Sequence, residues 1–491
     1  MALDSNGETL DVAIVGAGVS GVYTGWRLLT DPPPGRPVPT VQVFEQSQRI
    51  GGRLLSVEPP GIPGVFCELG GMRYLSSQAL VRSLVENKLK LETRPFVVEA
   101  PENLNYVRGQ RFRNSDLANH ANVPFELSWS ERGATVDTVL ASVLNQIVPG
   151  VTKMDAADLR DFLAEYEVDG RPLFDWGFWN LLSRGMSHEA YLLARLTGGY
   201  DAPMQNWNAF DTISLTFHLS RGITYSAIQG GAQSVPLRVA GLSEQAGGTI
   251  NLGHRLEAFD VEPDGSIALR IRDESGVRIV RARSLVLAMP RCSLELIDPS
   301  GPVLDGDRRD VRALIESVTP IPLFKICVAY DFPWWESLGV SQGRSVTDLP
   351  IRQCYYWATA QAAGADPDNR KAVLLASYDD GPEHRLLGRA IRSGPALAVR
   401  ADARSPHREA SRRTGVGRLH ADRRDGRRGR PPAARNPPRA LHADAVRRRV
   451  YGLERRSVWR GRELLEGPRP QPGRDPAHDA ARSAAAGLRL R

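Results

Sequence analysis

Three glycines, Gly16, Gly18 and Gly21, follow the apolar run Val12-Ala-Ile-Val15 and precede the apolar-periodic stretch Val22 to Leu29. This is GxGxxG between a strand and a helix, a spacing suited to a pyrophosphate. The first glycine permits the tight turn, the second lets the backbone approach the phosphates, and the third lets helix and strand pack closely. The start of the helix, with Ser20, attracts the negative charge. Pro32-Pro-Pro-Gly-Arg-Pro37 breaks the helix, and Val41-Gln-Val-Phe44 reads as a second strand ending in Glu45, a carboxylate placed to accept hydrogen bonds from an adenosine ribose. A different chemistry is marked by Lys325, set in the run Leu323-Phe-Lys-Ile-Cys-Val-Ala-Tyr330. A lysine inside an apolar strand is costly to bury without hydrogen-bond partners, which favours a functional role over a structural one.

The elements that must hold these residues are those of an α/β chain. Amphipathic stretches at Ala79–Leu89, Asp155–Glu167 and His188–Leu196 predict a mostly helical insertion between Leu75 and Arg221. Strands are predicted from His254 to Val261, Ile267 to Ile271, Val277 to Arg281 and Ser284 to Met289. The aromatic segments Phe174–Asn180 and Gly199–Asn208 suit a core better than a pocket lining, and the lone histidines His188 and His218 make weak candidates for a base.

Several motifs resemble one family. Arg49-Ile-Gly51-Gly52-Arg53, soon after Glu45, resembles the second pyrophosphate loop of flavin-type dinucleotide sites. Cys67-Glu68-Leu-Gly70-Gly71-Met72-Arg73-Tyr74 resembles the segment beside the flavin ring in the FAD-dependent amine oxidase superfamily. Its Met-Arg ending resembles the L-amino-acid oxidase branch, whose arginine binds the substrate α-carboxylate. Ile228-Gln-Gly230-Gly231 through Pro236 resembles the family's element that re-enters the FAD domain, and the strand around Lys325 resembles the one whose lysine holds a water at the flavin N5. Thr347 to Trp357 resembles the strand that gives a tyrosine hydroxyl to the carboxylate. Alternation puts Tyr355 and Tyr356 on opposite faces, so both remain candidates.

The resemblance, over residues about 11–380, implies a Rossmann-like FAD-binding domain (1–75 and 225–295) interleaved with an α+β substrate domain (76–224 and 296–384). It implies FAD held by Gly16, Gly18, Ser20, Gly21, Glu45, Gly52, Arg53, Gly70, Gly71, Met72 and Arg73, with an amino acid held by Arg73 and a tyrosine, and with Lys325 as the catalytic residue. The implied reaction is oxidative deamination of an L-amino acid with oxygen, giving a 2-oxo acid, ammonia and hydrogen peroxide. A flavin-dependent decarboxylase of amino acids would share every motif. No partner beyond substrate and oxygen is implied, a homodimer aside.

Composition sets the remaining bounds. The 491 residues are 42% hydrophobic, enough for two domain cores, and carry a net charge of +7. No apolar run spans a membrane and no secretion signal opens the chain. The four cysteines form no CxxC pair, which suggests neither a zinc site nor a disulfide framework and fits a reducing cytoplasm. The charge is uneven: residues 385–491 hold 28 Arg, no Lys and 10 acidic residues, so this tail carries +18 and the body −11. An inactive chain whose basic tail binds nucleic acid is the alternative from a different class, although such an arm would normally mix Lys with Arg. The composition instead suggests an out-of-frame translation of a GC-rich gene, expected to be disordered, which replaces the family's final FAD-binding segment. Reading one base later from near His384 recovers Trp- and Gly-Gly-containing stretches that resemble the lost region.

Overall fold

The computed structural model describes residues 9–381, apart from 33, 134–135, 155, 201–206, 221–222, 299–300 and 302–308, together with Arg449–Glu454. The N-terminal run forms β1 (Leu10–Val15), which turns through the glycines into α1 (Val19–Thr30) and returns as β2 (Val41–Glu45). These join β3 (Thr249–Leu252), β4 (Arg255–Val261), β5 (Ile267–Asp273) and β6 (Gly276–Leu287) in one six-stranded sheet of order β3-β2-β1-β6-β5-β4. Strands β3, β2, β1 and β6 run parallel, and β5 and β4 extend the sheet antiparallel.

The two strands predicted at Val277–Arg281 and Ser284–Met289 are one strand, β6. Its first half pairs antiparallel with β5, from Asp273↔Gly276 to Ile267↔Ala282, and its second half runs parallel to β1, from Leu10↔Ala282 to Val15↔Leu287. Ala282 and Arg283, left between the two predicted strands, lie within one continuous strand: Ala282 pairs with both Ile267 and Leu10, and Arg281 closes an ion pair with Glu262 at 2.9 Å. On one sheet face Ile14 and Val43 pack with Val22 of α1 and Val239 of α7 (Ser234–Gln245), while on the other Ala13, Val15, Phe44 and Leu269 gather with Ile297. Burial on both faces is the pattern of a doubly wound parallel sheet.

The insertion is helical as predicted, with α2 (Val136–Ile147), α3 (Ala156–Glu165), α4 (Phe178–Leu182), α5 (His188–Thr197) and α6 (Ala209–Ser220). It also holds a short hairpin, Leu104–Val107 with Gln110–Arg113. At Ala79–Leu89 a single α-turn passes into the π-helical turn Ser83–Lys88. Phe178, Trp179, Leu182 and Ile213 are core. A second, antiparallel sheet has the order β8-β9-β10-β7-β11, formed by β7 (Phe324–Tyr330), β8 (Arg344–Val346), β9 (Gln353–Thr359), β10 (Ala372–Asp379) and β11 (Arg449–Glu454). The expectations for residues 385–491 otherwise lie outside the described residues. Arg449–Glu454 departs from the expected disorder by pairing with β7. No helix of the described residues is long and apolar enough to cross a membrane.

Candidate active site

The glycine turn and the second glycine loop meet back to back. Gly51 N–H donates to the Ala17 carbonyl at 2.9 Å, and Gly18 bridges to Gly51. A Cβ on Gly21 would lie 1.8 Å from the Gly16 carbonyl oxygen, so a side chain at Gly21 would unseat the turn. Helix α1 starts at Gly18 with no side chain capping it and no acidic residue in its first turn. Its first N–H groups and dipole are therefore suited to an anion. Glu45 accepts the N–H of Ala17 and of Ser47, each at 2.8 Å, which fixes the carboxylate beside the turn with lone pairs to spare for a diol. Arg49, quoted in the sequence motif without a role, donates to the carbonyl of Gly52 at 2.6 Å and ties down the second loop. Arg53 has an exposed side chain and contributes its carbonyl instead, which accepts the Gly71 N–H at 3.1 Å. Turn, helix and carboxylate together fit the pyrophosphate and ribose of a dinucleotide.

Residues 53–57 and 67–71 run antiparallel, close enough that a Cβ on Gly70 would fall 1.9 Å from the Arg53 carbonyl oxygen. The Glu68 side chain locks this seam to the chain leading into α7: it accepts from Ser56 Oγ and from Ala232 N, both at 2.7 Å. Burial pushes its carboxyl above the usual carboxylate range, against the lowering pull of these donors and of Lys325. Lys325 is 1% exposed, and its Nζ donates to the carbonyls of Gly70 at 2.6 Å and Glu68 at 3.3 Å. The strand lysine thus reaches the glycine segment, and the hydrogen bonds offset the cost of burying it.

Arg73 extends from this segment to the second sheet. Its guanidinium donates to Tyr355 Oη and Tyr200 Oη, each at 3.1 Å, and lies over the rings of Tyr225 (4.6 Å), Phe96 (5.1 Å) and Tyr355 (5.6 Å). Burial pulls its pKa down, but the phenols of Tyr355 and Tyr200 raise it overall. Tyr355 responds in the opposite sense: burial pushes its pKa up, and Arg344 and Arg73 bring it below the ordinary phenol value. Tyr378 closes the ring of aromatics, edge-on to Tyr200 at 5.5 Å and under Lys325 Nζ at 4.6 Å. Burial pushes its hydroxyl up to about 12.

The structure decides between the two adjacent tyrosines. Tyr355 shares its face of β9 with Arg73 and packs with Met72 and Cys327, whereas Tyr356 lies on the far face among Trp335, Leu374 and Tyr330, its hydroxyl 2.7 Å from Ser345 Oγ. Tyr356 is accordingly removed from the substrate candidates. Ala376 is an extra residue on β10, since Ile326 pairs with Ser377 and Cys327 with Leu375, and this bulge turns Tyr378 to the site face. His188 stacks on Tyr191 in the helical layer, and the His218 side chain lies outside the described residues. Sequence reasoning passed over Tyr200, Tyr378, Arg344 and Gln353. For Tyr200 a signal existed, the aromatic segment from Gly199 that was read as core.

Against known proteins, the profile of flavin-containing amine oxidoreductases matches residues 19–393. Aplysianin-A of Aplysia kurodai is 26% identical over 398 residues, which is 76% of this chain and 68% of that protein. An L-amino-acid oxidase of Siganus canaliculatus is 24% identical over 378 residues, 77% of this chain and 66% of the relative. The solved structure of wild-type putrescine oxidase bound to putrescine aligns with a TM-score of 0.55 at 18% identity, covering 79% of this chain and 78% of that one, a likeness of fold.

Proposed function

This chain belongs to the flavin-containing amine oxidoreductase family, and from that membership we propose that it oxidises an L-α-amino acid to the 2-oxo acid, releasing ammonia and hydrogen peroxide. FAD is the family's cofactor, and when bound it supplies the two-electron acceptor for the carbon bearing the amine. Gly16, Gly18, Ser20 and Gly21 with α1 are suited to its pyrophosphate, Glu45 to its ribose, and Gly70 to Arg73 to the ring side of the site.

The observation that carries the substrate reading is Arg73. Among the described residues its hydrogen bonds go to two phenol hydroxyls, and it has no carboxylate partner. A partly buried guanidinium in that state matches an incoming carboxylate, which it takes with parallel charge-assisted hydrogen bonds. The oxygens of Tyr200 and Tyr355 accept from Arg73 and stand 3.4 Å from each other, so one phenol O–H can go to the neighbouring oxygen and the other is left to donate to the same carboxylate. That grip fixes the orientation of Cα. Phe96, Tyr225, Tyr355 and Tyr378 keep water from the reacting carbon. Arg73, Lys325 and Arg344 put three cations around the pocket, and their field lowers the pKa of the substrate ammonium, so the neutral amine needed for oxidation forms without a histidine base.

Incubating the purified chain with FAD and a panel of L-amino acids tests the reading. Equal yields of 2-oxo acid, ammonia and peroxide support it; carbon dioxide with an amide product would redirect it to decarboxylation, and oxidation of simple amines alone would refute it. We also propose that the reading frame shifts near His384. The family match ends at residue 393, about nine residues into the lysine-free arginine tail that begins at 385. The chain would then hold FAD weakly, and sequencing the coding DNA checks this: a next frame that soon meets stop codons would overturn it.

A further inference from the structure

A second guanidinium stands behind the aromatic ring that Arg73 engages. Arg344 is 7% exposed and lies directly across from Tyr355 in the β8–β9 register, so the two side chains share the site face. Its guanidinium lies 5.6 Å from the centre of the Tyr200 ring, whose hydroxyl binds Arg73. The two arginines thus flank one tyrosine. Arg344 Nη1 donates to Gln353 Oε1 at 2.9 Å and Nη2 to Glu99 Oε1 at 2.5 Å. Two buried atoms are left over: among the described residues Arg344 Nε and Gln353 Nε2 have no hydrogen-bond partner. Gln353 is 0% exposed and also sits on the site face, two residues before Tyr355.

Buried donors without partners are rare because each forfeits its hydration without compensation. Here one N–H and one NH2 group, all donors, are orphaned in the same cluster, and no acceptor is orphaned beside them. The missing group is therefore an acceptor with more than one lone pair. A carboxylate fits best, since both of its oxygens accept and its charge matches the guanidinium, whereas a carboxamide offers one neutral oxygen. Glu99 does not fill this role, since its side chain is 58% exposed and reaches Arg344 from the solvent side. We propose that Arg344 and Gln353 form the side-chain subsite of the pocket and take the distal carboxylate of an acidic L-amino acid. This rests on the α-carboxylate role of Arg73: one arginine holds the carboxylate common to all amino acids, the other selects the side chain.

The test compares L-glutamate, L-glutamine and L-norvaline, which has the same five-carbon chain without the distal oxygens. With added FAD, kcat/KM from peroxide release is measured on the full chain, together with the anaerobic shift in melting temperature each amino acid produces, which needs no repeated turnover. The parent should prefer glutamate over norvaline by about a hundredfold, with glutamine between them, because norvaline leaves the buried donors unpaired. Arg344→Met should bring that ratio to about one, and Gln353→Met should reduce it by about tenfold. Glu99→Gln, at an exposed position that should not endanger folding, should preserve or raise the preference. Arg73→Met should weaken glutamate and norvaline alike. If the parent handles norvaline as well as glutamate, or the preference survives Arg344→Met, the subsite is overturned and the Arg73 reading stands. If neither amino acid binds or reacts, both fall.

Discussion

Replacing Arg73 by methionine separates substrate recognition from stability. The guanidinium already donates to Tyr355 and Tyr200 at 3.1 Å, and its remaining N–H groups are the ones offered to a carboxylate. Truncating one partner of such a charge pair costs about 2–4 kcal/mol where water still reaches one side. At about 1.4 kcal/mol per tenfold, kcat/KM for an amino acid should fall roughly thirty- to a thousandfold. Arg73→Lys should recover part of this, since an ammonium keeps the charge but lacks the planar fork. An amine of similar length without a carboxylate has nothing to lose, so the ratio of amino acid to amine is the informative quantity. Folding should not suffer in parallel, because among the described residues no carboxylate offsets the desolvation of Arg73 and methionine fills the space between Phe96 and Tyr225. The assay is peroxide release with saturating FAD, paired with thermal melting. Equal losses for amino acid and amine, or an unchanged kcat/KM for the amino acid, would refute the assignment.

Glu45→Gln should release FAD on gel filtration while leaving the order of substrate preference as it was, because the carboxylate sits at the glycine turn, far from Tyr355; full flavin retention would reduce Glu45 to a brace for Ala17 and Ser47. Lys325→Met should slow the oxygen reaction of the reduced enzyme by about a hundredfold, the scale of losing one fixed donor in a closed site, with amino-acid binding less affected; stopped-flow mixing with oxygen reads this. For Glu68, whose folded pKa lies above the ordinary 4.5, the folded state binds the extra proton, so stability is lost as pH rises from about 4.5 through the raised value. Melting temperatures of Glu68→Gln and parent should therefore diverge in favour of the variant across that window, and parallel curves would contradict the burial argument.

The β1–turn–α1 unit, the carboxylate ending β2, the glycine segment before Arg73 and the lysine in β7 were all legible in the sequence. Each is a local device: turn, capping and strand composition are settled by residues a few positions apart. What the chain order could not show is which faces meet. Alternation separates Tyr355 from Tyr356 but does not say which side of β9 the glycine segment will cover; that depends on packing across 282 residues, the separation of Arg73 from Tyr355. The bulge at Ala376 that turns Tyr378 inward exists only in the pairing of β10 with β7. Tyr200 and Arg344 join the site for the same reason, one from the helical layer and one from an edge of the sheet, brought together by burial of the apolar surfaces around them. Local chemistry fixed the cofactor end of this protein, and long-range register decided which side chains a substrate would meet.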